Sequence, residues 1–97
     1  MPIPTSSATS LSVPTVLVTG AAKRLGRDIA LALAAAGWRV ALHYRGSEQD
    51  AIKTVADCAM MTGGSAAFQA DLSDETAVKS LLPSVIRSMG HVDAVVN

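Results

Sequence analysis

The sequence predicts an α/β fold, the amino-terminal half of a doubly wound parallel sheet with spatial strand order 3-2-1-4. Three observations carry that reading. Short apolar runs alternate with longer segments of helical periodicity, in the order strand, helix, strand, helix, strand, helix, strand. The apolar runs are continuous, as strands buried on both faces require. The first strand meets the first helix through a glycine-containing turn, Thr19-Gly20 to Gly26. Strands separated by helices of this size pair in parallel through right-handed crossovers, which gives the stated order.

The elements follow along the chain. Residues 1–14 stand apart: of the first 15 residues four are Ser, three Thr and three Pro, and none is charged. Such a segment buries too little apolar surface to fold, so a flexible Ser/Thr/Pro-rich tail is expected. It lacks the basic start and the apolar stretch of ~7–15 residues of a secretory signal. Its Ser and Thr leave a transit peptide as an alternative, against the absence of Arg. The folded unit is expected over 15–97.

Val16-Leu17-Val18 reads as the first buried strand. Leu25, Ile29, Ala32, Leu33 and Ala36 then fall at helical spacing, and Gly37 follows where a left-handed cap favours glycine. Val40-Ala41-Leu42 is the second strand. Ser47 with Asp50 predicts a capping box, and Ile52, Val55, Ala56 and Ala59 form the stripe of the helix behind it. Gly63-Gly64 ends that helix. Ala66-Ala67-Phe68 is a third strand, closing at Asp71. Ser73 is expected to cap the next helix, with Asp74 and Glu75 in a first turn that favours acids. Val78, Leu81, Leu82, Val85, Ile86 and Met89 recur at helical spacing. Pro83 interrupts that run. An interior proline costs ~3 kcal/mol, so a kink or break is expected there, on the face away from the sheet. Gly90 ends the helix, and Val92 to Val96 begins a fourth strand.

Composition narrows the function. The 97 residues are 49% apolar and 16% charged, with 8 basic residues balancing 8 acidic ones. This length and balance fit one domain and exclude disorder for most of the chain. Zero net charge argues against a whole-surface nucleic-acid binder and leaves a local basic patch open. Cys58, the single cysteine, can form neither an internal disulfide nor a thiolate zinc site. It reads as inert packing inside a helix, and Trp38 as packing at the start of strand two. No apolar run approaches the ~18 residues of a membrane span. A cytoplasmic protein with neither nucleic acid nor membrane as partner is expected.

The turn Thr19-Gly20-Ala21-Ala22-Lys23-Arg24-Leu25-Gly26 carries the first chemical signal. Glycines between a strand and a helix let the backbone approach a pyrophosphate, toward which the helix amides then point. Two glycines six apart also suit a tight turn with close helix packing. Lys23, Arg24 and Arg27 crowd the positive end of the helix dipole. Exposed cations there cost ~0.3–1 kcal/mol each, and a bound polyanion reverses that penalty. A kinase-type phosphate loop is excluded, because Gly-Lys-Ser/Thr is absent. An adenosylmethionine site would want an acid at the end of strand two.

Strand two ends Leu42-His43-Tyr44-Arg45-Gly46-Ser47. In a dinucleotide fold this tip meets the adenosine ribose, and NAD sites place an acid there, ~20 residues past the glycines. No acid occurs between Asp28 and Glu48. A ribose phosphate is repelled by an acid and held by a guanidinium. Arg45 and the Ser47 hydroxyl are suitable donors, and Arg24 can approach from the turn. NADP(H) is therefore expected over NAD(H). Asp71 can accept from an adenine amino group while Leu72 offers its backbone and an apolar wall. Asp71 equally suits capping of the next turn.

Thr19-Gly20 through Gly26, Asp71-Leu72 and Val92-Asp93-Ala94-Val95-Val96-Asn97 together resemble the short-chain dehydrogenase/reductase family, over about residues 15–97. The last segment is similar to the strand leading into that family's Asn-Asn-Ala-Gly stretch. The resemblance implies a Rossmann fold of which this chain carries part. Arg24 stands where the family usually has its middle glycine. Ala-Ala-Lys-Arg-Leu-Gly followed by a His-Tyr strand end resembles the pteridine reductase branch, although Gly46 stands where that branch often has a second basic residue. On this resemblance Gly20, Arg24, Leu25 and Gly26 surround the pyrophosphate, and Tyr44, Arg45 and Ser47 the ribose phosphate. Asp71 and Leu72 meet adenine, and Asn97 approaches the cofactor through its backbone. The implied reaction is hydride transfer from NADPH to a C=N or C=O group. A pterin or folate is the first substrate expected, and a 3-oxoacyl compound or ketone the second. Family members are commonly tetramers.

The family's catalytic Ser and Tyr-x-x-x-Lys pair belong to the second half of its fold. Tyr44 is the only tyrosine and has no Lys four residues later. His43 and His91 lie on unrelated elements and make no metal site. No catalytic residue is assigned, and the chain alone is expected to be inactive. A non-catalytic dinucleotide-binding module and a truncated remnant are the alternatives.

Overall fold

The computed structural model describes residues 13–97. The expected tail, residues 1–14, lies outside the described residues except at its last two positions, where the Pro14 carbonyl accepts from the Arg39 amide at 2.8 Å. Seven elements follow: β1 (Thr15–Val18), α1 (Arg24–Ala35), β2 (Arg39–Tyr44), α2 (Glu48–Ala59), β3 (Ala66–Gln69), α3 (Glu75–Met89) and β4 (Ala94–Val96). The strands form one parallel sheet in the order β3-β2-β1-β4, as expected. In register, Val16 faces Val40 on one side and Ala94 on the other.

Alternation along the strands divides the core in two. Val16, Val18, Val40 and Leu42 point to one face, where they meet Ala30 and Ala34 of α1 and Ala51 and Cys58 of α2. Leu17 and Ala41 point to the other, against Leu81, Val85 and Met89 of α3. Both faces of the sheet are thus covered, which is why the strands read as unbroken apolar runs. Trp38 is half-buried against the first cluster. Cys58 is buried, and desolvation pushes its thiol pKa up. No helix among the described residues is long and apolar enough to cross a membrane.

The helices are rotated relative to the stripes expected from spacing. In α1, Leu25, Ala32 and Ala36 are exposed, while Ala30 and Ala34 are buried and Ile29 and Leu33 half-buried. An alanine-rich helix has apolar residues on more than one face, and its smallest ones sit where the backbone comes closest to the sheet. In α2, Ala51, Thr54 and Cys58 are buried, whereas Ile52, Ala56 and Ala59 face out. Thr54 can be buried because its hydroxyl is satisfied twice: it donates to the Ala22 carbonyl at 2.7 Å and accepts from Arg27 Nη1 at 2.8 Å. In α3, Leu81, Val85 and Met89 are buried, while Val78, Leu82 and Ile86 stay partly open.

Two local expectations are corrected, and a third holds in part. Ser47 precedes α2 without any side-chain cap bond, so the Ser47–Asp50 capping box does not form. Asp74, not Ser73, caps α3, accepting from the Thr76 amide at 2.9 Å. Of the kink or break expected at Pro83, the break does not occur, since α3 runs continuously from Glu75 to Met89, and the proline does lie on the outer face. The proline is exposed, and burial of Leu81, Val85 and Met89 holds the helix together across the lost bond.

The edge of the sheet where the strands begin is cross-linked by polar groups. Arg39 donates through Nη2 to Thr15 Oγ1 and to the Met89 carbonyl, both at 2.6 Å. Asp93 Oδ2 accepts the Thr15 amide at 2.9 Å, while the Asp93 amide donates to the Thr15 carbonyl at 2.8 Å. The hydrogen bond from the Thr15 amide holds the Asp93 carboxyl below the usual carboxylate range. Arg27 does the same for Asp57. A folded-state pKa that is depressed stabilises the fold above the ordinary range of about 4, and that contribution is lost as the pH falls through the lowered values. The urea midpoint should therefore hold through neutral pH and fall on acidification below about 4. Asp93→Asn should flatten part of that fall, measured by denaturation at a series of pH values.

Candidate functional site

The four strands end along one edge of the sheet. Gly20 follows β1, Arg45 follows β2, Asp71 follows β3 and Asn97 follows β4. In open parallel sheets ligands bind outside the carboxyl ends of the strands, where the first helix also begins.

The turn into α1 is built by glycine. Gly20 has φ +61°. A Cβ on Gly26 would sit 2.1 Å from the Gly20 carbonyl oxygen and 2.9 Å from Ala21 Cα, so no side chain fits there. Arg24 has φ +60° and is the one non-glycine residue with positive φ among the described residues. That conformation costs an L-residue about 1–2 kcal/mol. Such strain persists where the surroundings impose it, and it clusters at ligand sites. Lys23 precedes the helix in extended conformation, with no side-chain cap, and no acid lies in the first turn. The first-turn amides therefore keep their partial positive charge for an incoming anion. Leu25, 71% exposed, stands beside them rather than in the core.

The cations do not act alike. Lys23 and Arg24 are exposed. Arg27 is not available to an anion: its Nη2 pairs with Asp57 at 2.5 Å and its Nη1 donates to Thr54. The guanidinium is spent joining α1 to α2. An arginine one turn into a helix lies closer to the next helix than to the turn, which the linear sequence cannot distinguish.

At the end of β2, a hollow of about 150 Å³ is lined by Gly20, Ala22, Lys23, Tyr44, Arg45, Gly46 and Ser47. None of these residues is acidic. Tyr44 is half-buried and packs on the core, while Arg45 is exposed. With no cap bond to make, the Ser47 hydroxyl is free for a ligand. Arg45 Nε lies 3.6 Å from Asp71 Oδ1. Asp71 Oδ1 also accepts from the Ser73 hydroxyl at 2.6 Å and the Ser73 amide at 2.9 Å. The Ser73 hydroxyl is the main cause that holds the Asp71 carboxyl below its usual range. Asp71 thus takes the turn-capping role in this structure.

Leu72 and Asn97 are placed elsewhere on the edge. Both line an apolar hollow of about 200 Å³ with Leu17, Val78 and Val95. Thr19 Oγ1 donates toward Asn97 Oδ1 at 3.1 Å and the Val96 carbonyl at 3.3 Å.

Sequence reasoning missed His43. It is 4% exposed, its Nδ1 accepts from the Gly20 amide at 3.0 Å, and its Nε2 lies 2.8 Å from the Ala70 carbonyl. The signal was a polar side chain inside a run destined for burial, which must find partners on both ring nitrogens.

A family profile described as short chain dehydrogenase matches residues 14–97. The chain belongs to the short-chain dehydrogenase family. Relatives include 3-oxoacyl-(acyl-carrier-protein) reductase FabG of Staphylococcus aureus, 40% identical over 81 residues, covering 84% of this chain and 33% of the relative. The 3beta-hydroxysteroid dehydrogenase 1 of Eggerthella lenta is 40% identical over 83 residues, covering 86% and 32%. The hydroxynaphthalene reductase-like protein Arp2 of Metarhizium robertsii is 35% identical over 88 residues, covering 91% and 33%. The chain thus spans about a third of the length of these short-chain dehydrogenase relatives.

Two substitutions test the turn. Gly26→Ala should destabilise the chain by about 3 kcal/mol or more, because the added methyl meets backbone rather than a side chain that can move. Arg24→Gly should stabilise it by about 0.5–1 kcal/mol, relief of left-handed strain outweighing the larger entropy of the unfolded glycine. Urea denaturation of the two variants measures both.

Proposed function

We propose that this chain forms the adenosine and pyrophosphate half of an NADP(H) site in a short-chain reductase. One observation carries the reading: a hollow with Arg45, Lys23 and an uncapped Ser47, and no acid in its lining, opens beside a glycine turn whose helix amides are free. The cradle suits a dinucleotide because Gly26 allows α1 to lie against the turn without a side chain between them. Gly20, Arg24, Leu25 and Gly26 would hold the pyrophosphate, and Tyr44, Arg45 and Ser47 the ribose phosphate. Asp71 and Leu72 would flank adenine, and Asn97 would meet the cofactor through its backbone. When bound, the nicotinamide supplies a hydride to a C=N or C=O carbon.

The Arg45–Asp71 pair is compatible with this role. Its side chains are 73% and 42% exposed. Exposed pairs contribute only ~0–1 kcal/mol. A phosphate with two negative charges therefore draws the guanidinium away from Asp71 at little cost.

Two substrate readings follow. A pterin or folate rests on Arg24 in the turn and on the His43-Tyr44 strand end. A carbonyl substrate is favoured by the relatives, one of which is a 3-oxoacyl reductase by name and another a hydroxysteroid dehydrogenase. The serine, tyrosine and lysine that would move the proton have no counterpart in these 97 residues. The catalytically complete protein is proposed to be a cytoplasmic homo-oligomer, a tetramer by family resemblance.

Titration of the chain with NADPH and NADH by calorimetry tests the cofactor. Arg45→Ala should weaken NADPH by about 10-fold, the value of one charge-assisted hydrogen bond, and leave NADH unchanged. An equal change for both cofactors would remove the ribose-phosphate assignment. The purified chain should oxidise no NADPH with either a pterin or a 3-oxoacyl substrate, as followed by absorbance.

A further inference from the structure

His43 is buried at the end of β2 and makes no use of solvent. Its ring spans two structures that belong to different strands: the amide of Gly20 in the turn after β1, and the carbonyl of Ala70 just before Asp71. A carbonyl can only accept, so Nε2 carries the ring proton. That leaves the Nδ1 lone pair facing the Gly20 N–H at 3.0 Å. The backbone of the same residue also serves the turn, since the His43 carbonyl accepts from the Ala21 amide at 3.0 Å. Two successive amides of the turn therefore end on His43.

We propose that His43 is a positioning residue for the anion-binding turn, acting through Gly20. This rests on the dinucleotide reading of that turn. The ring captures the Gly20 amide and so fixes the left-handed φ of +61°. With that peptide fixed, the chain emerges into Lys23 and Arg24 with the first amides of α1 directed outward. The bond from Nε2 to Ala70 anchors the same ring to the end of β3. The phosphate side and the Asp71 side of the site thus share one strut. No side chain of the turn itself performs this task, because Gly20 has none and Ala21 and Ala22 carry no acceptor.

Two substitutions separate the two bonds. In His43→Asn the amide oxygen takes the place of Nδ1, keeping an acceptor for Gly20 and losing Ala70. In His43→Gln the amide nitrogen takes the place of Nε2, keeping a donor for Ala70 and losing Gly20. The readouts are NADP+ affinity by calorimetry, exchange of the Gly20 amide proton by NMR, and the urea midpoint. We expect His43→Asn to bind NADP+ within about 3-fold of the original chain and to keep Gly20 protected. We expect His43→Gln to bind about 10-fold more weakly, the value of one hydrogen bond, with rapid Gly20 exchange. A merely structural role would make affinity follow the urea midpoint in both variants, and that result overturns the proposal. Slow Gly20 exchange in His43→Gln also overturns it, whatever the ligand does. If the original chain fails to bind NADP+ while Gly20 exchange responds as expected, the dinucleotide reading is what fails, and the assigned purpose of the strut with it.

Discussion

The first helix rests its third residue against the carbonyl of Gly20, and that contact sets the distances of everything around it. Only a hydrogen can occupy the space between Gly26 and the turn. Because α1 approaches so closely, its first-turn amides arrive at the carboxyl edge of the sheet instead of standing behind it. The same approach brings Ala22 against α2, where the Thr54 hydroxyl donates to its carbonyl. Arg27 then turns toward Thr54 and Asp57. A contact between two backbone segments therefore fixes how two helices meet and which cations remain at the edge.

Electrostatics at this edge depends on who is already paired. Counted along the sequence, Lys23, Arg24 and Arg27 form one cluster. In space they divide into two exposed groups and one spent guanidinium. Asp71 shows the same division of duties. Its Oδ1 is committed to Ser73, and its pairing with Arg45 is long and exposed. Hydrogen bonds that are short and local are retained under such competition, while an exposed ion pair yields to a stronger partner.

The strands and their order were legible because burial on both faces leaves an unbroken apolar signature, and right-handed crossovers admit few arrangements. Helix rotation was not. Ile52 is more apolar than Thr54, so periodicity assigned it inward, but a satisfied hydroxyl and a neighbouring arginine reversed the two. Ser47 and Ser73 both resemble caps in sequence, but Ser47 makes no cap bond and Ser73 yields the role to its neighbour. Asp74 lies closer to the helix start, and Ser73 is drawn back to Asp71. At the site, Gly20 and Gly26 were legible because glycine has few reasons to recur at such a turn. His43 was not, because its purpose depends on two residues 23 and 27 positions away.

The two ends of the sheet are fastened by different means. At the end where the strands begin, Arg39 and Asp93 tie β1, β2, β4 and the last turn of α3 through charged groups. At the opposite end, the loops are joined by the buried His43 ring, by backbone bonds and by exposed side-chain contacts such as Arg45–Asp71. Exposed contacts contribute little, so the end where the strands begin is expected to act as the firmer floor and the opposite rim to open first. A ligand lying across that rim would close the sheet at its loose end. Part of its binding energy would then be spent ordering loops, and the floor would serve as the fixed frame from which they move.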